Sequence, residues 1–282
     1  MRIFITGANG FTGRYLSQKL AQTGHETKSM DSDLANLDDL RAELESFNPQ
    51  SIVHLAGISS VLHTNANEFY QVNLIGTRNL LKAASETCDN LDSVILASTA
   101  HIYDGQYGGA LSEASDINPT SDYAVSKYAM ERMAKLWSKK LPIVVTRPFN
   151  YTGVGQTTNF VIPKIVDHFK NKRSEISLGN TKLYREFGDV RDVADIYAQI
   201  ISKPPIGEAL NICSGQYHRL DDIIDTCSEL TAHRVVVNTN PDFLRPGEPE
   251  KIYGDCHKLT KYFPELQFRG IRATLSWMLN EL

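Results

Sequence analysis

A tyrosine and a lysine four residues apart are the part of the sequence best suited to proton chemistry. Tyr123 and Lys127 stand at the two ends of the segment YAVSK. On a helix, residues i and i+4 share one face, so the spacing predicts an ammonium group close to a phenol. A free tyrosine titrates at about pH 10, and a nearby positive charge lowers that pKa by stabilising the phenolate. The pair could therefore transfer a proton at neutral pH, provided that a cofactor's charge or polar surroundings add to the effect of Lys127.

Three glycines near the N-terminus form a second chemical pattern. Gly7, Gly10 and Gly13 give the spacing G-x-x-G-x-x-G, directly after an apolar run and before an amphipathic segment. Glycines at such a strand-to-helix turn permit a tight turn, close approach of the backbone to a pyrophosphate, and close packing of helix on strand. The helix N-terminus adds free N–H groups and the positive end of the helix dipole. The pattern predicts a dinucleotide site and favours it over an ordinary glycine-rich turn.

An acidic residue after the second apolar run bears on the choice of cofactor. Asp31 lies at the end of a run that begins at Glu26. A carboxylate there can accept hydrogen bonds from the adenosine ribose and would repel a 2′-phosphate, which favours NAD(H) over NADP(H). The link from Asp31 to Asp33 is unusually short, and a displaced Asp31 is the alternative, so NADP(H) stays open.

Alternating strands and helices must position these residues. The first half of the chain alternates short β-branched runs with segments of helical periodicity, which is typical of β-α-β units and a parallel sheet. The sequence predicts strands over Arg2–Thr6, Glu26–Met30, Ser51–Leu55, Ser93–Ser98 and Ile143–Arg147, and helices over Thr12–Thr23, Leu37–Phe47, Asn73–Thr87 and Tyr123–Leu141.

The second half of the chain contains more loops with glycine and proline, and shorter elements. It predicts helices over Phe160–Lys170, Asp192–Ser202, Leu220–Leu230 and Ile271–Leu279, and a strand over Ala209–Ile212. These strands are too few for a second complete domain of the same kind. We predict an α/β protein: a Rossmann-type doubly wound parallel sheet in residues 1–150, with a smaller C-terminal α/β substrate lobe in residues 151–282, partly interleaved with the first domain.

Composition narrows the function classes. The 282 residues are 41% hydrophobic, and no apolar run approaches the roughly 20 residues that a membrane-spanning helix needs. The sequence starts with a strand-like run and not with a signal peptide, so a cytoplasmic protein is expected. A net charge of -4 argues against nucleic acid as a partner. The spacing of the histidines predicts no metal site, and the four scattered cysteines predict reduced thiols.

In their order along the chain, these motifs resemble the extended short-chain dehydrogenase/reductases that act on nucleotide sugars, over essentially the full length. The matching pieces are Gly7/Gly10/Gly13, Asp33-Leu34, His54-Leu55-Ala56-Gly57, Asn73, Ser98-Thr99 before Tyr103, Tyr123/Lys127, Arg147-Pro148-Phe149-Asn150, Arg185, Asp192 and Arg245-Pro246. The segment NPDFLRPGEP, residues 240–249, is especially similar to the branch of GDP-mannose dehydratase and GDP-4-keto-6-deoxymannose reductase.

The resemblance implies a role for each matching residue. Tyr123 would give or take the proton, Lys127 would hold the nicotinamide ribose, and Thr99 would hydrogen-bond the reacting sugar oxygen. The implied cofactor-binding residues are Gly7, Asn9, Gly10, Phe11, Thr12, Gly13, Asp31, Asp33, Leu34, Leu55, Ala56, Gly57, Asn73, Tyr123, Lys127 and Arg147. The implied substrate-binding residues are Ser59, Thr99, Ala100, His101, Asn150, Asn159, Arg185, Arg245 and Glu248.

Two arginines would clamp the substrate's diphosphate, for which a guanidinium fork is well shaped. These are Arg185 and Arg245. The alternative for Arg185 is an ion pair with Glu186 or Asp189, and the alternative for Arg245 is a structural role in its proline-rich loop.

The residues after Thr99 bear on the reaction. The dehydratases that the chain resembles carry a glutamate just after the catalytic threonine, whereas this chain has Ala100 and His101, which disfavours 4,6-dehydration. Reduction and 4-epimerisation need only hydride transfer and the tyrosine. The short Asp31–Asp33 link resembles dTDP-sugar 4-ketoreductases, and the segment 240–249 resembles GDP-sugar reductases.

We therefore expect an NAD(P)H-dependent reductase of a GDP- or dTDP-linked 4-keto-6-deoxyhexose, assembled as a homodimer. A nucleotide-sugar 4-epimerase is the first alternative. A dinucleotide-binding redox sensor without turnover is the non-enzymatic alternative, although such a protein would have no need of the Tyr123 phenol.

Overall fold

A six-stranded parallel sheet forms the centre of the computed structural model, which describes residues 1–59, 65–106, 108–244 and 247–281. With strands numbered in chain order, the sheet contains β1 (Arg2–Thr6), β2 (Glu26–Ser29), β3 (Ser51–His54), β4 (Ser93–Ala97), β6 (Ile143–Pro148) and β11 (Ala209–Ile212). The strand order is β11-β6-β4-β3-β1-β2. This order and the parallel pairing confirm the predicted Rossmann-type α/β fold.

Helices cover both faces of this sheet, which explains why its strands are apolar runs without alternation. They are α1 (Phe11–Gln22), α2 (Leu37–Phe47), α3 (Ala66–Phe69), α4 (Thr77–Thr87), α5 (Asp122–Ala134) and α7 (Val190–Ser202). Helices α1 and α7 pack together over one face, and α2, α4 and α5 cover the other. Because β11 and α7 follow residue 150, the second half of the chain completes the main sheet.

The helical segment before β4 is longer than the sequence predicted. The predicted helix begins at Asn73, whereas in the structure α3 continues through a wider helical turn, Tyr70–Gly76, into α4. Helix α5 ends at Ala134 and continues as a tighter turn over Lys135–Trp137, short of the predicted end at Leu141. Such widened and tightened turns depend on packing and leave little trace in hydrophobic periodicity.

Most of the remaining elements form a smaller lobe with its own apolar core, whereas helix α9 (His257–Tyr262) packs on β11 of the main sheet. Helices α6 (Val161–Lys170), α8 (Leu220–Thr231) and α10 (Ile271–Glu281) surround the parallel pair β8 (Glu175–Leu178) and β13 (Val236–Thr239). A second small sheet has the order β12 (His218–Arg219), β9 (Tyr184–Arg185), β14 (Lys251–Gly254), β5 (Gly109–Leu111). The last elements are the paired strands β7 (Tyr151–Thr152) and β10 (Gly188–Asp189).

All four cysteines are free thiols. Within the described ranges, none of the helices has both the length and the apolar character required to cross a membrane.

Candidate active site

The glycine-rich turn between β1 and α1 is shaped for close contact with a ligand. Gly7 has a φ of 71°, and a Cβ on it would lie 2.7 Å from the backbone nitrogen of Ala56. A Cβ on Gly13 would run into the carbonyl oxygen of Gly7, while the Gly10 nitrogen donates to that oxygen at 3.0 Å. In the described part of the chain, no side chain caps α1 and no acidic residue lies in its first turn. A helix N-terminus without a capping side chain, behind a glycine-rich turn, fits the pyrophosphate of a dinucleotide.

A buried histidine fixes the backbone beside this turn. His54 lies between the hydroxyls of Thr6, 2.7 Å from Nδ1, and Thr77, 2.8 Å from Nε2. Since Thr77 donates its proton to the Asn73 carbonyl, His54 Nε2 must donate to Thr77, and Nδ1 accepts from Thr6. Burial and the charge of Lys127 lower the pKa of His54 to about 3, so the ring is neutral. Thr6 also accepts from the Ala56 nitrogen, which places Ala56 and its neighbours Leu55 and Gly57 against the glycine turn.

Lys127 is buried in a polar cluster built around Gly57. Its Nζ donates to the Ala97 carbonyl at 2.8 Å, and burial lowers its pKa to about 8. Asn73 donates to the Ile58 carbonyl and to the Ser126 hydroxyl, both at 3.1 Å, and accepts from the Ile58 nitrogen at 2.9 Å. The predicted residues Gly57, Asn73 and Lys127 therefore meet, and Ser126 is a member of the cluster that the sequence analysis missed.

Tyr123 lies next to this cluster and is only 8% exposed. The Thr99 side chain lies beside its hydroxyl. The rings of Phe69 and His101 pack against the Tyr123 ring, with centroids 6.0 and 6.1 Å away. Burial raises the pKa of Tyr123 to about 12, although the neighbouring Thr99 hydroxyl opposes this. Within the polypeptide alone, desolvation of the phenolate exceeds the stabilisation that the chain provides, so the expected lowering of the Tyr123 pKa depends on the cofactor's charge.

The segment after β4 supplies the third polar group. Thr99 is buried, and its hydroxyl accepts from the His101 nitrogen at 3.2 Å, which begins a single helical turn over Ala100–Ile102. The side chain of Ala100 is half-buried and that of His101 is exposed. The adjacent Ser98 hydroxyl is buried without a hydrogen-bond partner among the described residues, an arrangement that often marks a site completed by a ligand.

Phe11 and Thr12 contact a residue that the sequence analysis missed. The ring of Tyr151 stacks on Phe11 with centroids 6.0 Å apart, and its hydroxyl lies 2.6 Å from the Thr12 hydroxyl. Tyr151 follows Asn150 in the predicted motif, so its position next to that motif was the available signal.

The residues that follow β2 are the next candidates for cofactor binding. The side chain of Asp31 is 75% exposed and accepts from Lys28 at 2.6 Å. Asp33 accepts from the Ala35 nitrogen, and Leu34 is buried. Asn9, at the tip of the glycine turn, is exposed. Asp31 thus stands beyond β2 as predicted, but its charge is paired with Lys28.

Two predicted substrate-binding residues meet in the smaller lobe. Arg185 lies 3.6 Å from the Glu248 carboxylate and donates to the Pro249 carbonyl at 3.1 Å. The alternative pairing of Arg185 with Glu186 or Asp189 is wrong: Glu186 accepts from Ser214 and Gly254, and Asp189 from Arg191. Ser59, Asn150 and Asn159 are exposed. Arg245 lies outside the described residues.

Arg147 does not take the position that the resemblance implied. Its guanidinium is buried and donates to both carboxylate oxygens of Glu131, at 3.0 and 2.7 Å, and to the Tyr103 hydroxyl at 3.0 Å. All three nitrogens are engaged inside the protein, so this arrangement does not support a cofactor-binding role for Arg147.

Comparison with known proteins gives a consistent result. Residues 3–213 match the model of the NAD dependent epimerase/dehydratase family. A GDP-6-deoxy-D-talose 4-dehydrogenase from Aggregatibacter actinomycetemcomitans is 34% identical, over 99% of this chain and 97% of its own length. A GDP-6-deoxy-D-mannose reductase from Pseudomonas aeruginosa is 28% identical, over 98% and 96%. The solved structure of the Pseudomonas aeruginosa protein RMD, complexed with NADPH, matches with a TM-score of 0.88 and 26% identity, over 99% of this chain and 97% of that one.

Proposed function

The chain belongs to the NAD dependent epimerase/dehydratase family, and we propose that it is an NAD(P)H-dependent reductase of a GDP-linked 4-keto-6-deoxyhexose. The observation that carries the proposal is the buried cluster in which the Tyr123 phenol lies beside Thr99, with Lys127 one helical turn away. GDP is preferred over dTDP because both relatives compared above act on GDP-sugars. Talose and mannose differ in configuration at C4. Reduction of one 4-keto sugar on its two faces would therefore give the two 6-deoxy sugars that those names describe.

The chain's own residues account for the proton chemistry. A bound reduced nicotinamide supplies a hydride to the C4 carbonyl carbon. Tyr123 gives its proton to the C4 oxygen as negative charge develops there, and Thr99 donates a hydrogen bond to the same oxygen. The Lys127 ammonium stabilises the phenolate that Tyr123 becomes, and a proton from water restores the phenol.

The raised pKa of Tyr123 favours the reducing direction. A phenol with a pKa of about 12 is fully protonated at neutral pH, as a general acid must be before hydride transfer. Lys127, with a pKa of about 8, is then mostly charged. Oxidation of an alcohol would need the phenolate, which the polypeptide alone disfavours.

The segment after Thr99 supports reduction over dehydration. Elimination of water from C5 and C6 needs a base and an acid beside the sugar. His101 could serve as the base, but the segment Ala100–Ile102 has no carboxylate to serve as the acid. A 4-epimerase is the second candidate, because the solved neighbours include a UDP-glucose 4-epimerase and the same three residues would serve both reactions.

In this proposal the exposed face of the smaller lobe receives the nucleotide sugar. Arg185 would bind the diphosphate in place of Glu248, and Ser59, Asn150 and Asn159 would contact the sugar or phosphates. NAD(H) and NADP(H) are both candidate cofactors, with Asp31 favouring NAD(H). A homodimer is the proposed assembly, which light scattering would test.

Cofactor oxidation with paired substrates tests the proposal. The purified protein is mixed with NADH or NADPH and with GDP-4-keto-6-deoxy-D-mannose or its dTDP-linked counterpart, dTDP-4-keto-6-deoxyglucose. We expect rapid loss of the reduced-nicotinamide absorbance with the GDP sugar, and a much smaller loss with the dTDP sugar. Comparable rates with both would remove the preference for GDP, and no oxidation with either would contradict a reductase.

A further inference from the structure

The two chain segments that carry the reacting groups are joined by one buried side chain. Thr99 belongs to the segment after β4, which continues to Tyr103, and Tyr123 belongs to α5, which continues to Glu131. Arg147, on β6, donates to the Glu131 carboxylate through two nitrogens and to the Tyr103 hydroxyl through the third. Thr99 and Tyr123 face each other across the same two segments, next to the packing of the His101 ring on the Tyr123 ring.

Both ends of this bridge are firmly held. On the helix, Glu131 lies four residues beyond Lys127 and eight beyond Tyr123, so the three side chains share one face of α5. On the other segment, the Tyr103 hydroxyl donates to Asn211 of β11 at 2.6 Å, and the guanidinium of Arg147 lies 5.1 Å from the centre of the Tyr103 ring. A shift of either segment would therefore break a buried polar contact.

Burial makes such a break costly. Glu131, Tyr103 and Arg147 are each less than 9% exposed, and Asn211 is fully buried. Water does not replace a lost partner at such positions, so a buried charge or hydroxyl left unpaired is strongly unfavourable. The planar guanidinium fork also has a fixed shape, which sets the separation of its acceptors.

We propose that Arg147 is a positioning residue that sets the separation of Thr99 and Tyr123, by tying α5 through Glu131 to the segment after β4 through Tyr103. Its effect on catalysis rests on the function proposed above. Lysine cannot reproduce this bridge, because one ammonium group cannot match a fork that reaches Glu131 and Tyr103 together. A displaced Tyr123 would slow proton delivery while the glycine turn still binds the cofactor.

The first test reads the position of Tyr123 without turnover. Tyrosine is labelled with ¹³C at Cζ, and the Tyr123 signal is assigned from its loss in Tyr123→Phe. Thr99→Val gives the reference signal for a Tyr123 that has lost the neighbouring Thr99 hydroxyl. We expect Arg147→Lys and Tyr103→Phe to move the Tyr123 signal toward that reference. Leu44→Ala, a fully buried change on α2, is the control for lost stability and should leave the signal in place. A Tyr123 signal unchanged in folded Arg147→Lys would overturn the proposal.

The second test is kinetic and uses the 4-keto sugar on which the wild type is active. Arg147→Lys should lower kcat by about 10- to 100-fold, the scale of an ångström-sized misplacement, and leave the Kd for the cofactor within about twofold. The deuterium isotope effect on kcat with deuterated nicotinamide should rise, since chemistry becomes more rate-limiting. If Arg147 had only a structural role, kcat would fall in proportion to the fraction of folded protein, and the isotope effect would stay unchanged. Inactivity of the wild type would refute the proposed function. The ¹³C experiment would still show whether Arg147 sets the position of Tyr123.

Discussion

Lys127 and Asn73 occupy the space that a side chain at Gly57 would need. A Cβ on Gly57 would lie 3.1 Å from the Nζ of Lys127 and 2.8 Å from the Oδ1 of Asn73. Neither neighbour is free to move, since Lys127 donates to the Ala97 carbonyl and Asn73 accepts from the Ile58 nitrogen. The absence of a side chain at Gly57 is therefore part of how Lys127 is placed.

The first prediction follows from this packing. Gly57→Ala should displace Lys127 or Asn73, which lowers kcat at least tenfold and costs about 1–3 kcal/mol in the free energy of unfolding, as for other overpacked sites. Gly270→Ala is the matched control, because a Cβ there meets open space. Steady-state kinetics and urea denaturation of both variants measure the two effects. If both variants had the same kcat and the same free energy of unfolding, the residues around Gly57 would be able to move aside for a methyl group.

The second prediction concerns the phenol. Tyr123→Phe keeps the ring that packs on Phe69 but removes the proton donor, so kcat should fall by about 10²–10⁴ while the Kd for the cofactor changes little. Tyr128→Phe, on the same helix, removes a hydroxyl with no assigned role and should keep normal activity. A Tyr123→Phe variant with more than about a tenth of wild-type kcat would not fit a general acid.

The third prediction concerns stability and pH. Burial lowers the pKa of Lys127 from 10.5 to about 8, so the unfolded chain binds this proton more tightly than the folded protein. The resulting destabilisation is complete below about pH 8 and disappears as the pH approaches 10.5. The free energy of unfolding of the wild type minus that of Lys127→Met should therefore increase across this window, by up to about 3 kcal/mol. Denaturant titrations at several pH values measure it, and a constant or falling difference would contradict a buried, destabilised ammonium.

The fourth prediction concerns cofactor choice. Asp31 is exposed and pairs with Lys28, so its removal takes away a negative charge and frees a cation near the predicted ribose site. Asp31→Ala should raise kcat/KM for NADPH relative to NADH, and the double variant with Lys28→Met should lose most of that gain. A strong wild-type preference for NADPH would mean that Asp31 does not face the ribose.

The local elements were the most predictable part of the molecule. Three predicted elements, Arg2–Thr6, Leu37–Phe47 and Ala209–Ile212, match the structure at both ends, because buried apolar runs and a capping Asn36 mark their bounds. The small sheet with the order β12-β9-β14-β5 escaped prediction. Its strand Tyr184–Arg185 has two residues, and distant pairing with Lys251–Gly254, rather than local preference, determines it.

The site was predictable in its parts but not in its connections. Motif spacing identified Gly57, Asn73 and Lys127, which the structure brings together. Glu131 was missed, although its spacing of four residues from Lys127 was a usable signal. The position of Arg147 could not be foreseen, since its partners Glu131 and Tyr103 meet it only in the folded chain. The direction of the Tyr123 pKa shift depends on burial, which the sequence does not quantify.

Direct observation of the transferred hydrogen is the most decisive measurement. The protein is incubated with GDP-4-keto-6-deoxy-D-mannose and nicotinamide cofactor deuterated at C4, and the nucleotide sugar is examined by NMR. A reductase would place one deuterium at C4 of the hexose for each cofactor oxidised. A parallel reaction with unlabelled cofactor retains the C4 proton, whose coupling constants identify the 6-deoxytalose or 6-deoxymannose product. Interconversion of C4 epimers without net cofactor oxidation, or a product without deuterium at C4, would contradict the proposed reductase.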